Sequence, residues 1–245
     1  MKNTQIINLL FVCTLLPITL SAQKSSTVVT IEDISAPDSP IRISGQAILV
    51  EEINITDFHY KFNVDATLTN VSSQPLLCYN VVIDVVSSSA LGEKGNFTDD
   101  RFFRDEMIMQ AGSATSVQYG PTAWRSVSLK SGEATAGSRH VKARVVFAQL
   151  ADGTRFGDAK FEQQLRADRT GTVADLTSAI ASYEKGTPLA TSIKNVSANS
   201  KASFVTINST VLNHLKDSLN TKGSTETLAE MKKFLTNADK RKAYM

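Results

Sequence analysis

Apolar and polar residues alternate along most of the first two thirds of this chain, and the clearest run is Phe58–Thr69. Every second residue of that run, from Phe58 to Leu68, is apolar, and the residues between them are polar. Such alternation predicts a strand with one buried face and one solvated face. A turn rich in Asn, Ser and Pro follows, and Leu76–Val86 then has the pattern of a second strand. We expect these two strands to pair as a hairpin or to lie on facing sheets.

Five other segments have the composition and pattern of strands: Val28–Ile34, Ile41–Val50, Arg101–Met109, Thr115–Tyr119 and Arg139–Leu150. The last of them is followed by Asp152-Gly153, a pair typical of a tight turn. About seven strands within about 130 residues, with no helical pattern between them, predict an antiparallel β-sandwich.

After Asp158 the spacing of apolar residues changes to the helical one. Thr172 and Ser224 are predicted to cap two helices, and shorter helices are predicted over Lys160–Ala167 and Leu189–Val196. The apolar stripes are Val173, Leu176, Ile180 and Tyr183 in the first long helix, Ile207, Val211, Leu215 and Leu219 in the second, and Leu228, Met231, Leu235 and Ala238 in the third. Because an amphipathic helix needs a partner surface, we expect these helices to pack on the β-rich part.

The N-terminal segment has the pattern of a secretory signal peptide. Lys2 precedes an apolar run over Ile6–Leu20, and Ser21-Ala22 offers a cleavage site before Gln23. We therefore divide the chain into a signal peptide over residues 1–22, a β-sandwich over 23–158 and a C-terminal helical lobe over 159–245. The expected location is periplasmic or extracellular, and no further apolar segment is long enough for a transmembrane anchor.

The small net charge of +2 conceals an asymmetry between the two predicted parts. Residues 23–158 carry 12 Lys and Arg against 16 Asp and Glu, whereas residues 159–245 carry 13 against 8. Opposite signs favour docking of the two parts, or direct the basic part to an anionic surface; the alternative interpretation is scattered charge on solvated faces.

The run Phe62–Leu76, a strand, an Asn-x-Ser turn and the start of another strand, resembles the immunoglobulin-like modules of bacterial secreted proteins. The segment Asp152–Gly157, which ends the β-rich part before a helical C-terminal part, resembles the layout of uncharacterised exported bacterial proteins. This resemblance implies an immunoglobulin-like antiparallel β-sandwich followed by a small helical lobe. It implies an exported protein and no shared catalytic residues.

Acidic side chains gather in a predicted loop and the predicted strand after it, at Asp99, Asp100, Asp105 and Glu106. Closely spaced carboxylates bind Ca²⁺ in some loops, but the interleaved Arg101 and Arg104 favour ion pairing within the chain. Cys78 is the only cysteine after the predicted cleavage site, so no intramolecular disulfide is expected in the mature chain. An inert, partly buried thiol is favoured over a nucleophile or an intermolecular disulfide.

The three histidines, His59, His140 and His214, show no spacing typical of a metal site, and surface positions are favoured over zinc ligation or proton transfer. Trp124 is the best candidate for binding a ligand, because an aromatic residue on a loop can stack on a sugar or anchor a partner. Packing in the core is the alternative for Trp124.

The sequence thus predicts an exported, non-catalytic binding or structural protein with an unknown protein or glycan partner. No cofactor, metal or nucleic acid is expected, since the basic residues near the end of the chain lack the interleaved aromatic residues of a nucleic-acid site. The alternative is a secreted or periplasmic hydrolase whose site is assembled only in three dimensions.

Overall fold

The computed structural model describes residues 23–53, 57–86, 92–120, 125–128, 139–199 and 207–245. The predicted signal peptide and Trp124 lie outside these ranges. In the described ranges nine strands come first and four α-helices follow, which agrees with the predicted change from β to α near Asp158.

The strands are β1 Gln23–Asp33, β2 Ile41–Ile53, β3 Asp57–Asn70, β4 Leu76–Val86, β5 Gly92–Asp100, β6 Ala114–Tyr119, β7 Arg125–Ser128, β8 His140–Leu150 and β9 Arg155–Gly157. The helices are α1 Ala159–Glu184, α2 Leu189–Asn199, α3 Ile207–Lys222 and α4 Ser224–Lys240, with a short 3-10 turn at Lys242–Tyr244.

The strands form one mixed sheet in the order β5-β4-β8-β1-β2-β3-β6, with β7 beside β3 and β9 beside β8. β1 joins the two halves of this sheet: Gln23–Thr30 pairs antiparallel with β2, and Ile31–Asp33 pairs parallel with β8. The prediction of an immunoglobulin-like antiparallel β-sandwich is therefore wrong. Alternation indicates which face of a strand is buried, but it does not indicate the neighbouring strand or its direction.

A hairpin of β3 and β4, the first of the two arrangements predicted for them, is not formed, because β3 lies between β2 and β6 whereas β4 lies between β5 and β8. The sheet curls until its first and last strands approach each other. The rings of Phe97 on β5 and Tyr119 on β6 lie with centroids 5.4 Å apart. The inward faces of β3 and β4 consequently share one core, which includes Phe62, Val64 and Ile83.

The predicted strand over Arg101–Met109 is not formed; turns and bends replace it, and the strand is β5, immediately before it. The consecutive residues Phe102 and Phe103 are 0% and 2% exposed, so their side chains do not alternate between core and solvent. Their rings pack edge to face with centroids 5.2 Å apart, beneath the helices.

The helix α1 is continuous where two helices were predicted. Asp158 caps it, since its carboxylate accepts a hydrogen bond from the backbone N–H of Phe161 at 2.8 Å. Thr172 lies inside the helix, and its hydroxyl donates to the carbonyl of Asp168 at 2.8 Å, so the predicted cap at Thr172 is wrong. At the start of α4 the cap position is Gly223, with φ of 85°, rather than Ser224.

A second core lies between the outer face of the sheet and the helices. It combines Leu77 and Phe147 of the sheet with Leu165, Leu176 and other apolar residues of the helices. The prediction that the helices pack on the β-rich part is confirmed. Among the described residues no helix has the length and apolar character needed to cross a membrane.

Candidate functional site

Three side chains lie in a row across adjacent strands on the outer face of the sheet. Cys78 on β4 is the register partner of Asp100 on β5 and of Gln149 on β8. Register partners place their Cβ atoms about 5 Å apart on one face of the sheet. The row therefore brings a carboxylate, a thiol and an amide together from three distant parts of the sequence.

Arg169 of α1 lies over this row. Its Nε and Nη2 donate to the two carboxylate oxygens of Asp100 at 2.9 and 2.8 Å, and its Nη1 donates to Oε1 of Gln149 at 2.8 Å. The guanidinium carbon also lies 4.4 Å from the centroid of the Phe102 ring. Planar pairing with a carboxylate and stacking on a ring are interactions that arginine makes and lysine does not reproduce. We call Cys78, Asp100, Gln149 and Arg169 the junction cluster.

The junction cluster is enclosed. The side chains of Arg169 and Asp100 are each 1% exposed, Gln149 is 1% exposed and Cys78 is 0% exposed. Burial raises the pKa of the Cys78 thiol well above its ordinary value, and Asp100 raises it further, although the nearby Arg169 guanidinium opposes this rise. The thiol is therefore neutral at pH 7, and Cys78 is fully buried where the sequence predicts a partly buried thiol.

Burial lowers the pKa of Arg169, but the charge of Asp100 and its hydrogen bonds outweigh burial and raise it. Arg169 thus remains protonated and paired in the interior. A buried pair of this kind is held by geometry, because each charge would be costly without the other.

The C-terminal part of α4 and the next residue, Arg241, hold the loop that follows β5. Nη1 of Arg241 lies 2.6 to 2.8 Å from the carbonyl oxygens of Arg101, Phe102 and Arg104, and Nδ2 of Asn237 donates to the carbonyl of Phe103 at 3.2 Å. These carbonyls belong to a loop that bonds to β4 only near its two ends, through Arg101, Ile108 and Met109. Side chains at the end of α4 therefore supply the hydrogen-bond donors that a neighbouring strand would supply to a paired segment.

The acidic residues of this region form ion pairs, as predicted, but only in part with the predicted partners. Arg101 pairs with Asp99 at 2.8 Å. Asp100 pairs instead with Arg169 of α1, and Asp105 pairs with Lys233 of α4 at 2.6 Å. The helices provide these cations, so the opposite charges of the two parts of the chain meet at their contact.

The segment after α4 covers one side of the junction cluster. The carbonyl oxygen of Tyr244 accepts from Nη1 of Arg169 at 3.2 Å, and the Tyr244 hydroxyl donates to the carbonyl of Ala151 at 3.3 Å. The Tyr244 ring lies against Gly153, where an added Cβ would be 2.4 Å from a ring carbon. The Asp152-Gly153 turn, predicted from the sequence, thus provides the surface on which Tyr244 rests.

A second polar group lies at the other end of the sheet. Glu51, 1% exposed, is paired with Arg139, whose Nη1 donates to the Thr27 hydroxyl at 3.1 Å. The Tyr60 hydroxyl donates to Glu93 at 3.3 Å. Because β8 begins beside Arg139 and ends beside Gln149, and a strand rises about 3.3 Å per residue, this group lies about 30 Å from the junction cluster.

The histidines lie on three different elements. His59 is on β3, His140 is on β8, and both are half-buried. Nε2 of His214 on α3 lies 2.7 Å from Oε1 of Glu230 on α4, which joins these two helices. The described parts of the chain contain no group of three or more His, Cys, Asp or Glu side chains with the geometry of a metal site.

The contact between His214 and Glu230 leads to a prediction about pH. Burial raises the pKa of Glu230, but hydrogen bonds with His214 and Ser218, together with the charges of His214 and Lys222, outweigh burial and lower it below the ordinary value. The ionised form is therefore the stabilising one: its contribution is fully present above the ordinary pKa of 4.5 and is lost as the pH falls through the lowered pKa. We expect Glu230→Gln to lower the free energy of unfolding by about 1 kcal/mol at pH 7 and by much less at pH 3. Urea unfolding at both pH values checks this, and an equal loss at both would contradict it.

The sequence pointed to Cys78 and Asp100 but not to Gln149 or Arg169. Both of the missed residues are polar types at positions with no motif around them. Their role depends on strand register and on the docking of α1, neither of which has a local signal. The proposed ligand-binding residue Trp124 lies outside the described residues, so its position relative to either polar group stays a prediction.

No protein-family model matches this chain, and no curated protein matches it. Among solved structures, the chain is similar to a crystal structure of the protein designated ApaA from Bordetella pertussis, with 10% identity and a TM-score of 0.25. That similarity covers 56% of this chain and 85% of the other. At this level of similarity, neither the fold nor the function of that protein carries over to this chain.

Proposed function

We propose that this protein is exported and acts as a non-catalytic binding or structural protein. The proposal of export rests on the apolar run Ile6–Leu20 with the small pair Ser21-Ala22 after it. The proposal of binding rests on the surface of the sheet that the helices leave uncovered.

The outer face of β1 and β2 is that uncovered surface. Val28 and Ile48 lie directly opposite each other in the register and are 63% and 40% exposed. Polar residues surround them, including the exposed Gln46, Asn63 and Asp65. An exposed aliphatic pair within a polar rim favours contact with a protein surface, because burial of apolar side chains at the centre of an interface stabilises association. This exposed pair is the observation that carries the proposal.

The junction cluster supports a structural rather than a chemical role for the charged residues there. Its four side chains are bonded to one another or packed away from solvent, so a substrate has no path to them in this conformation. Their effect is to fix α1 on β4, β5 and β8.

A photo-crosslinking experiment in the producing cell tests this proposal. A photoreactive amino acid replaces Val28 in one variant and Ser178, an exposed residue of α1, in a matched control. We expect the full-length protein in the envelope or medium fraction, with its N-terminal segment removed, and adducts at residue 28 that are absent at residue 178. Retention of the uncleaved chain in the cytoplasm would contradict export, and adducts equally abundant at both positions would contradict the assigned face.

A separate assay, the release of soluble fragments from a polymer, tests the hydrolase alternative. The purified chain, incubated with cell-wall polysaccharide and with a protein substrate, is expected to release no soluble fragments. Release that Glu51→Gln abolishes would overturn the non-catalytic proposal and place the chemistry in the group around Arg139.

A further inference from the structure

The elements that enclose the junction cluster around Cys78 differ in how firmly they are packed. The helix α1 spans 26 residues, and α4 spans 17, and both are packed through the second core. The 3-10 turn Lys242–Tyr244 that follows α4 spans only 3 residues. Lys242 and Ala243 are exposed, and Tyr244 and Met245 are half-buried.

A few hydrogen bonds, the contact of the Tyr244 ring with Gly153, and partial packing of Tyr244 and Met245 at the edge of the second core hold this segment on the rest of the chain. Two of these bonds are made by Tyr244, as described above, and Nη1 of Arg166 donates to the carbonyl of Met245 at 2.8 Å. Short segments held by few contacts open locally at a lower free energy than the whole protein unfolds. The segment is therefore the part of the cover most easily displaced.

A second observation concerns the side chain next to Cys78. Nε2 of Gln149 is buried and has no hydrogen-bond acceptor, although the Gln149 side chain is 1% exposed and its Oε1 accepts from Arg169. Gln149 is the register partner of Cys78, so this amide lies beside the thiol. Once solvent can enter, the unsatisfied Gln149 donor and the Arg169 guanidinium beside the thiol favour its ionised form, and the Asp100 carboxylate opposes it.

We propose that Cys78 is a thiol modification site for small disulfides, and that the segment Lys242–Met245 is a latch that controls access to it. When the latch is displaced, Arg169 loses the Tyr244 carbonyl as an acceptor and solvent reaches the row of Asp100, Cys78 and Gln149. The thiol then ionises beside Arg169, and the amide of Gln149 gains an acceptor. This inference does not depend on the partner or the location proposed above.

The chemical step is thiol–disulfide exchange. The Cys78 thiolate attacks one sulfur of the small disulfide, a new S–S bond forms to Cys78, and the S–S bond of the reagent breaks. The second sulfur leaves as a thiolate and takes up a proton, so no other oxidant is required. With the latch closed, the 0% exposure of Cys78 prevents the in-line approach that exchange needs.

Two glycine substitutions distinguish the effect of displacing the latch from the effect of backbone strain alone. Gly153→Ala adds a Cβ that collides with the Tyr244 ring, at a backbone φ of 90°. Gly112→Ala introduces similar strain at a φ of 73°, but its Cβ meets nothing within 4 Å. The probe is dithiodipyridine, whose released thiopyridone is followed by absorbance. The chain of residues 23–245, in which Cys78 is the only cysteine, carries both substitutions in turn. We expect Gly153→Ala to label Cys78 about tenfold faster than the unsubstituted chain of the same length, and Gly112→Ala to change the rate by much less.

Labelling at increasing urea concentrations distinguishes local opening from global unfolding. Local opening exposes little surface, so the labelling rate of Gly153→Ala is expected to be nearly independent of urea until global unfolding begins. Where Gly153→Ala does not fold, Tyr244→Ala serves instead, because it removes the ring and keeps the backbone carbonyl. Equal labelling rates in the Gly153 and Gly112 variants, or rates that follow global unfolding at every urea concentration, would overturn the proposal.

Discussion

Replacement of Arg169 by methionine is expected to lower the free energy of unfolding by about 3–5 kcal/mol. The change leaves the Asp100 carboxylate, 1% exposed, without the two charge-assisted hydrogen bonds that now satisfy it. It also leaves Oε1 of the Gln149 side chain without its hydrogen-bond donor. A buried charge without a partner must be neutralised or hydrated, and both cost folding free energy.

Urea unfolding of the full mature chain measures this effect. The matched control is Lys232→Met, since Lys232 pairs with Glu184 at 3.4 Å with both side chains more than half exposed, and its loss is expected to cost less than about 1 kcal/mol. The double variant Arg169→Met with Asp100→Leu is expected to recover much of the lost stability, because it removes both charges together. A loss below about 1 kcal/mol for Arg169→Met would show that the junction cluster does not fix the helices on the sheet.

Removal of the helical part is expected to have a still larger effect. A fragment of residues 23–158 retains Leu77, Phe102, Phe103 and Phe147 but lacks every helix that now covers them. It also retains Asp100 without Arg169. We expect this fragment to aggregate or to bind a hydrophobic dye strongly, because an exposed apolar patch next to the ends of strands promotes association.

Size-exclusion chromatography with light scattering, and thermal unfolding, compare the fragment with the chain of residues 23–245. The longer chain is expected to be monodisperse and to unfold in one transition, since its second core is shared by sheet and helices. A fragment that is monomeric and as heat-stable as the longer chain would show that the two parts fold independently. The helices would then be the better candidate for a partner-binding element.

The extent of the strands and helices was largely predictable, because it depends on local patterns. The alternation over Phe58–Thr69 corresponds to β3, and Leu76–Val86 is β4 as predicted. The failures occurred where a residue's environment comes from distant parts of the chain. The sequence predicts Phe102 and Phe103 as successive residues of a strand, which would point to opposite faces, yet both are buried. Their loop receives hydrogen bonds from Asn237 of α4 and from Arg241 after it, and apolar residues of the helices pack on their rings.

The candidate site was less predictable than the fold for the same reason. Asp100, Cys78 and Gln149 become neighbours only because β4 lies between β5 and β8, and hydrophobic alternation carries no information about the order of strands. Arg169 meets them only when α1 packs on the outer face of that sheet. By itself, the sequence determined a β-rich part followed by amphipathic helices, together with charges of opposite sign on the two parts. The tertiary structure alone decided the single curled mixed sheet and the junction cluster, because both arise from contacts between residues far apart in the chain.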